Sequence, residues 1–236
     1  MILSDWEPRF EQFAERSMGK RAPSEPFSDF ALNPIPDPAH EMDHIRRVVA
    51  NARWLAAAEE ADLAVVLPAA WLHDCIALPK DSPQRAQASR LAAAAAGAFL
   101  RGAGYPNDLI PAIEHAIAAH SFSAAIPPET LEAKVVQDAD RLDSLGAIGI
   151  ARTIQLGGAM GTPLYHSGEP LPHVRAADEQ SYIIDHFYTK LLKLAAMMHT
   201  NAGRREAERR TRLMRIYLDE LEREINGNEA PPTSNA

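Results

Sequence analysis

The segment from Val65 to Leu78 constrains the fold most strongly, because it is apolar on nearly all sides. A helix that is hydrophobic all round belongs in a protein interior, so this segment predicts a buried central helix. The pair His73-Asp74 interrupts it. Burying an unpaired carboxylate is costly, so such a pair normally comes with a cation or strong hydrogen bonds. Taken alone, however, the dipeptide is more often a helix-end aspartate beside a hydrogen-bonded core histidine.

Helical spacing of apolar residues recurs along the chain, whereas runs with strand-like alternation are scarce. We therefore predict an all-α fold, a single helical-bundle domain over residues 1–228 with a disordered tail at 229–236. The domain would comprise an N-terminal helix at 3–18, a core at 37–158 and a C-terminal helical part at 173–226. After the first helix, further helices are expected at about 38–62, 65–78, 82–102, 106–119, 130–157, 178–200 and 203–225.

The charge balance and the cysteine content limit the classes of partner. The formal net charge is −8, which repels nucleic acid and anionic membranes but not a small phosphorylated molecule at a metal ion. Cys75 is the only cysteine, so no intramolecular disulfide forms and a reducing compartment is expected. The sequence contains no apolar stretch of membrane-spanning length and no signal-peptide pattern at its start, so we expect a cytoplasmic protein.

Metal-ligand side chains stand in apolar settings at three separate places. His44 lies on an amphipathic helix, His73 and Asp74 lie in the apolar segment, and a carboxylate cluster occupies Q-D-A-D-R-L-D at 137–143. Ligands that converge from several helices are a known way to build a metal site in a bundle core. The spacing alone suggests such a site but does not establish it.

The order His44, His73-Asp74, Asp140 resembles the H…HD…D signature of the HD-domain metal-dependent phosphohydrolases. The stretches H-x-x-x-H-x-x-R-V, A-A-x-L-H-D, Q-D-A-D-R-L-D-x-L-G-A-I-G-I-A-R and H-F-x-x-K-L-L-K-L are similar to a bacterial branch of uncharacterised HD proteins and nucleoside triphosphate pyrophosphohydrolase relatives. The resemblance spans about Trp6 to Glu224. It implies an HD-domain bundle with its metal site in the core and the C-terminal helices packed over it.

The resemblance also implies the ligand set. His44, His73, Asp74 and Asp140 would bind one divalent cation, with Asp74 and His73 as catalytic residues. In this register His40 and Asp43 are capping or supporting groups, and the carboxylates beside Asp140 form salt bridges or support the ligands.

Two imidazoles and two carboxylates suit an open octahedral site, for which Mn²⁺ is the first choice, with Mg²⁺, Co²⁺, Ni²⁺ and Fe²⁺ as alternatives. HD proteins with two metals use additional histidines before the last aspartate. The only histidines between Asp74 and Asp140 are His115 and His120, and the Ala92–Ala96 run falls where a further histidine would be expected. One cation is therefore favoured over two, which disfavours a di-iron oxygenase.

The expected substrate is a small phosphorylated molecule, with a nucleotide as the leading candidate, hydrolysed at a phosphoanhydride or phosphoester bond. Its candidate binding residues are Lys80, Arg85, Ser89, His120 and Lys190. A nucleotide-sensing module without turnover is the alternative. No nucleic-acid or membrane partner is expected, and a homodimer is compatible with the sequence.

Overall fold

The computed structural model describes residues 2–18, 42–76, 87–121 and 124–227. Across these ranges the regular structure is helical and no strand occurs, which confirms the predicted all-α class. No helix in this part of the chain combines the length and apolar character needed to cross a membrane. The α-helices are α1 (Glu7–Met18), α2 (Met42–Glu59), α3 (Leu63–Leu72), α4 (Ala88–Ala103), α5 (Ile110–His120), α6 (Leu131–Leu142), α7 (Gly146–Ala159), α8 (Asp185–Thr189) and α9 (Asn201–Asn226). Leu3–Asp5 and Leu191–Met197 form 3₁₀ helices.

The chain divides into two compact units. The first consists of Met1–Asp143 and Met198–Gly203, and the second consists of Ser144–Met197 and Arg204–Ala236. In the first unit α3 packs against α1, α2, α5 and α6, while α4 packs on α5. The second unit contains α7, α8 and most of α9. The single domain at 1–228 stays a prediction, and the tail at 229–236 lies outside the described residues.

Helix α3 is the buried centre of the first unit. Asp62 caps its N-terminus by accepting a hydrogen bond from the Ala64 amide, and every residue from 65 to 72 is buried. The predicted helix was too long, because α3 ends at Leu72 and His73 lies in the turn that follows. The ring Nδ1 of His73 lies 2.8 Å from the carbonyl of Ala70, which occupies an oxygen that a continuing helix would give to a backbone amide.

The predicted helix over 130–157 is in fact two helices, α6 and α7. Thr130 caps the N-terminus of α6, accepting a hydrogen bond from the Ala133 amide. The break follows at residues 143–146, where Leu145 is extended and Gly146 has a φ of +71°. A positive φ suits glycine because it has no Cβ.

The predicted helix over 178–200 was also wrong. Only the five residues of α8 are α-helical there, followed by the 3₁₀ helix Leu191–Met197. The buried Asp185 carboxylate is held by Arg175 and by the Asp178 amide, both of which precede α8. These bonds hold residues 175–178 against Asp185. The last predicted helix is confirmed as α9.

Candidate metal centre

Three buried histidines meet in the first unit, each oriented through its Nδ1 atom. His44 on α2 contacts Asp143 Oδ2 at 2.7 Å. His73 after α3 and His120 at the end of α5 contact the carbonyl oxygens three residues earlier, at 2.8 and 2.7 Å. Because these oxygens only accept hydrogen bonds, each Nδ1 carries the proton and donates. The Nε2 atoms are therefore left as the metal-binding atoms of the rings.

Two carboxylates complete the cluster. Asp74 Oδ2 lies 3.5 Å from His73 Nε2 and 3.9 Å from His44 Nε2. Asp140 Oδ1 lies 3.5 Å from His44 Nε2 and 3.9 Å from His73 Nε2. Metal bonds of about 2.1 Å separate neighbouring ligand atoms by roughly 3.0–3.4 Å, so these four atoms lie close to the spacing of a shared cation. The two carboxylate side chains are 18% and 28% exposed, which gives the cluster a solvent-facing side.

His73 provides the strongest indication that a cation belongs here. Its Nε2 is buried and has no hydrogen-bond partner among the described residues. A buried polar atom without a partner costs free energy, and a cation would remove that cost. Burial also lowers the pKa of His73, which favours the neutral imidazole that binds metals. The donor set therefore fits a divalent cation.

Two overlapping triads are each able to hold a metal ion. One consists of His44, His73 and Asp140, and the other of His73, Asp74 and His120. Both use His73, whose Nε2 has a single lone pair and so binds one cation at a time. This sharing is compatible with the predicted single cation.

His120 approaches the cluster from the other side of Asp74. Its Nε2 lies 3.4 Å from Asp74 Oδ1, the oxygen that does not face the other two histidines. Burial lowers the pKa of His120, but the hydrogen bond to Asp74 and the charges of Asp74 and Asp140 outweigh burial and raise the pKa to about 9. A carboxylate oxygen and an imidazole nitrogen at this distance share a proton or a cation.

Asp143 supports the cluster from behind His44. It is almost fully buried and accepts hydrogen bonds from Arg47 Nε at 2.7 Å and Arg47 Nη2 at 3.1 Å, besides that of His44. One carboxylate therefore fixes the ring of His44 and binds a half-buried guanidinium. This arrangement matches the salt-bridging role expected from the sequence.

Asp138 has a different task, and its side chain belongs to neither triad. It is fully buried and accepts hydrogen bonds from the amides of His199 and Thr200 and from the Thr200 hydroxyl, at 2.8–3.1 Å. A Cβ on Gly203 would lie 2.7 Å from Asp138 Oδ2. Asp138 thus anchors the segment that begins α9.

Sequence reasoning missed the link between His199 and the cluster. The Nε2 of His199 lies 2.6 Å from Gln137 Oε1. The Gln137 amide nitrogen donates to the Ala119 carbonyl at 2.6 Å, directly before His120. These partners lie 18 and 62 residues from Gln137, so no local sequence pattern indicates them.

The predicted substrate-binding residues are spread over the chain. Lys80 and Arg85 lie outside the described residues, as does His40. Ser89 is buried, and its hydroxyl donates to the Ala118 carbonyl at 2.9 Å. Lys190 lines a cavity of the second unit.

The chain matches a known protein family. The family model of the HD domain matches residues 42–145. The chain is 36% identical to the Bacillus subtilis (strain 168) protein YpgQ, itself described as uncharacterized, over 195 residues that cover 81% of this chain and 87% of YpgQ.

Solved structures extend the similarity over nearly the whole chain. The crystal structure of Bacillus subtilis YpgQ in complex with ADP matches with a TM-score of 0.68 and 29% identity, covering 96% of this chain and 98% of that chain. An HD-superfamily hydrolase from Bacillus thuringiensis matches with a TM-score of 0.71 and 30% identity, covering 95% and 99%.

Proposed function

Because the chain belongs to the HD-domain superfamily, we propose that it is a divalent-metal-dependent phosphohydrolase that cleaves phosphoanhydride or phosphoester bonds of nucleotides. The observation that carries this proposal is the buried Nε2 of His73, which lies within the histidine and aspartate cluster and has no hydrogen-bond partner in the part of the chain that the structure describes. The similarity to a YpgQ structure that contains ADP supports a nucleotide as the substrate. Hydrolysis of a triphosphate to monophosphate and pyrophosphate is one form of this reaction.

In this proposal His44, His73, Asp74 and Asp140 hold one cation, with Mn²⁺ as the first choice. The set contains no thiolate and mixes nitrogen with oxygen, which is typical of Mn²⁺, Fe²⁺, Co²⁺ or Ni²⁺ rather than of structural zinc. When bound, such a cation lowers the pKa of a coordinated water and offsets charge on phosphate oxygens.

The side chains of the cluster have distinct tasks. Asp74 uses Oδ2 towards the ligand histidines, while its Oδ1 faces His120 Nε2 and can accept a proton. His73, held by its Nδ1 bond and fully buried, keeps its ring in one orientation. The partly exposed edges of Asp74 and Asp140 are the side from which a phosphate group can approach.

An anionic substrate needs hydrogen-bond donors besides a single cation, because the protein as a whole carries a formal charge of −8. Lys80 and Arg85, which follow the HD pair in the chain, are proposed as phosphate-binding residues. His120 is a further candidate. Ser89 and Lys190 complete the proposed set, although the Ser89 hydroxyl would have to exchange its bond to Ala118 in order to donate.

A screen for phosphate and pyrophosphate release tests the proposal. Purified protein would be incubated with ribo- and deoxyribonucleoside mono-, di- and triphosphates and with Mn²⁺, Mg²⁺, Co²⁺ or Ni²⁺. We expect metal-dependent release from at least one nucleotide, lost in the Asp140→Ala variant. Saturable nucleotide binding without release under any metal would instead favour the sensing module.

A further inference from the structure

Helix α9 has a buried side and an exposed side over residues 204–224. The buried side is formed by Ala207, Thr211, Met214 and Leu218. On the opposite side Leu213 is 41% exposed and Ile216 is 64% exposed. These two side chains lie three residues apart, so they are neighbours on the helix surface. Isolated exposed apolar residues are common, and the charges around this pair therefore decide whether it has a partner.

The apolar pair belongs to a longer stripe along α9 whose members follow one another at alternating intervals of three and four residues. The α9 stripe consists of Glu206, Arg209, Leu213, Ile216, Glu220 and Arg223. All of these residues are exposed except Glu206, which is half-buried. A repeat of this period marks the face that one helix turns towards another in a coiled coil. The centre of the α9 stripe is apolar, and each end carries one acid and one base.

The order of charges along the stripe is complementary to itself when a second copy of α9 runs in the opposite direction. If the two copies are centred between residues 214 and 215, Leu213 faces the partner's Ile216. Arg209 then faces the partner's Glu220, and Glu206 faces the partner's Arg223. Each acid of the stripe therefore meets a base. The same surface serves both copies, as a two-fold axis requires.

Other arrangements of the two helices lose this match. A parallel pair would place Arg209 against the partner's Arg209 and Glu220 against the partner's Glu220, and facing like charges are unfavourable. An antiparallel pair shifted by one heptad would place Leu213 or Ile216 against a charged side chain. The charge order thus favours one direction and one register.

The charges of the stripe are already paired within each chain, and the contact does not require them to be free. Arg209 binds Glu206 at 2.7 Å, and Arg223 binds Glu220. In the antiparallel pair each of these ion pairs meets the opposite ion pair of the partner, which gives clusters of alternating sign. Exposed ion pairs contribute little energy, so they select the direction while the central apolar residues supply most of the attraction.

We propose that the exposed face of α9 is a self-association surface, through which two copies of the chain pair antiparallel about an axis near residues 214 and 215. A contact made by one helix from each copy is smaller than the roughly 800 Å² per partner of a standard interface, so the dimer is weak and depends on concentration. The surface lies in the part of α9 that belongs to the second unit, and pairing through it does not depend on turnover at the metal centre.

Analytical ultracentrifugation of the full-length protein tests the proposal, over concentrations from low to high micromolar and at low ionic strength. We expect a reversible equilibrium between monomer and dimer. Ile216→Ser should weaken dimerisation by at least about tenfold, because the two-fold axis removes an apolar side chain from both copies. Ile148→Ser is the matched control, since Ile148 is also an exposed isoleucine but lies on α7, and it should dimerise as the wild type does.

A charge exchange tests the direction of the helices. Glu220→Arg alone should weaken dimerisation about fivefold, because it places a like charge opposite Arg209 at two contacts of the dimer. Adding Arg209→Glu to Glu220→Arg should recover most of the lost affinity. Within one chain the two positions are eleven residues apart, about 16 Å along the helix axis, so such recovery requires contact between two copies.

Circular dichroism verifies that each variant folds, and the comparison of Ile216→Ser with Ile148→Ser decides the matter if the double variant does not fold. A wild-type protein that stays monomeric at every concentration would overturn the proposal. Dimerisation of Ile216→Ser as tight as that of the wild type would place the interface on another surface. A folded double variant that dimerises as weakly as Glu220→Arg would show that these two charges do not face each other, and the antiparallel pairing would be wrong.

Discussion

Replacing Asp143 with asparagine tests whether the buried Asp143 carboxylate orients the His44 ring. The buried carboxylate holds His44 Nδ1 at 2.7 Å and binds Arg47 through two further contacts, at 2.7 and 3.1 Å. Asparagine keeps the shape of the side chain but loses its negative charge. Its single amide oxygen accepts hydrogen bonds from His44 and Arg47 less well than the two carboxylate oxygens do. Loss of a group that orients a metal ligand typically costs 10- to 100-fold in metal affinity, or about 1.4–2.7 kcal/mol.

The same substitution should also lower the free energy of unfolding. The hydrogen bonds of the half-buried Arg47 guanidinium to Asp143 involve charged groups, and losing them costs about 1–3 kcal/mol. Arg47→Lys is the matched control, because it disturbs these bonds and leaves the contact between Asp143 and His44 in place. It should reduce stability while changing metal affinity less than threefold.

Competition with a fluorescent chelator would measure Mn²⁺ affinity for the wild type, Asp143→Asn and Arg47→Lys, and urea unfolding would measure their stability. Equal metal affinity for wild type and Asp143→Asn would refute the claim that Asp143 orients His44. Complete loss of the metal, as severe as in Asp140→Ala, would make Asp143 a direct ligand and would equally refute the argument.

Three further predictions follow from the geometry. Asp140→Ala should lose the metal, whereas Asp138→Ala should retain it even if it is less stable, and elemental analysis giving the reverse order would show that the ligand assignment is wrong. His120→Ala should retain the metal and lose activity if His120 donates to phosphate, whereas loss of the metal would identify it as a ligand. Glu206, whose pKa is lowered to about 2 by hydrogen bonds from Arg209 and Arg210, should stabilise the protein by about 1 kcal/mol at pH 7. The folded-state pKa of Glu206 lies below the ordinary 4.5, so the wild type should exceed Glu206→Gln in stability by the full amount above pH 4.5. This difference in the free energy of unfolding should shrink as the pH falls towards 2. Urea unfolding that gives the same difference at every pH would contradict the prediction.

The sequence predicted the helical class and the residues that meet at the cluster. His44, the HD pair and Asp140 each stand among apolar residues, and a polar ligand type in such a setting has to find a partner in the core. Family resemblance selected Asp140 over its neighbours, and Asp140 is the carboxylate of that stretch that lies beside the Nε2 atoms of His44 and His73.

The break between α6 and α7 could not be predicted from local pattern. Asp143, Ser144 and Gly146 are weak helix formers, but α7 itself contains three further glycines, so such residues do not mark a break reliably. The carboxylate at the break is held by His44 and Arg47, 99 and 96 residues away. The partners of Asp138 and of His199 could not be predicted either, because they lie 61 or 62 residues away in the sequence. Helical periodicity reports which face is apolar, but it carries no information on which distant polar group a buried side chain will meet.

The metal content of the loaded protein tests the central claim most directly. The full-length chain would be saturated with Mn²⁺, freed of excess metal by gel filtration and analysed for metal per chain, beside the Asp140→Ala variant treated in the same way. We predict one ion per wild-type chain and almost none in the variant, since the Nε2 atoms of His44 and His73 each lie 3.5–3.9 Å from the oxygens of the proposed ligands Asp74 and Asp140. A wild-type protein that retains no metal, or one isolated with two tightly held irons and an oxygen-dependent reaction, would contradict a mononuclear hydrolase centre.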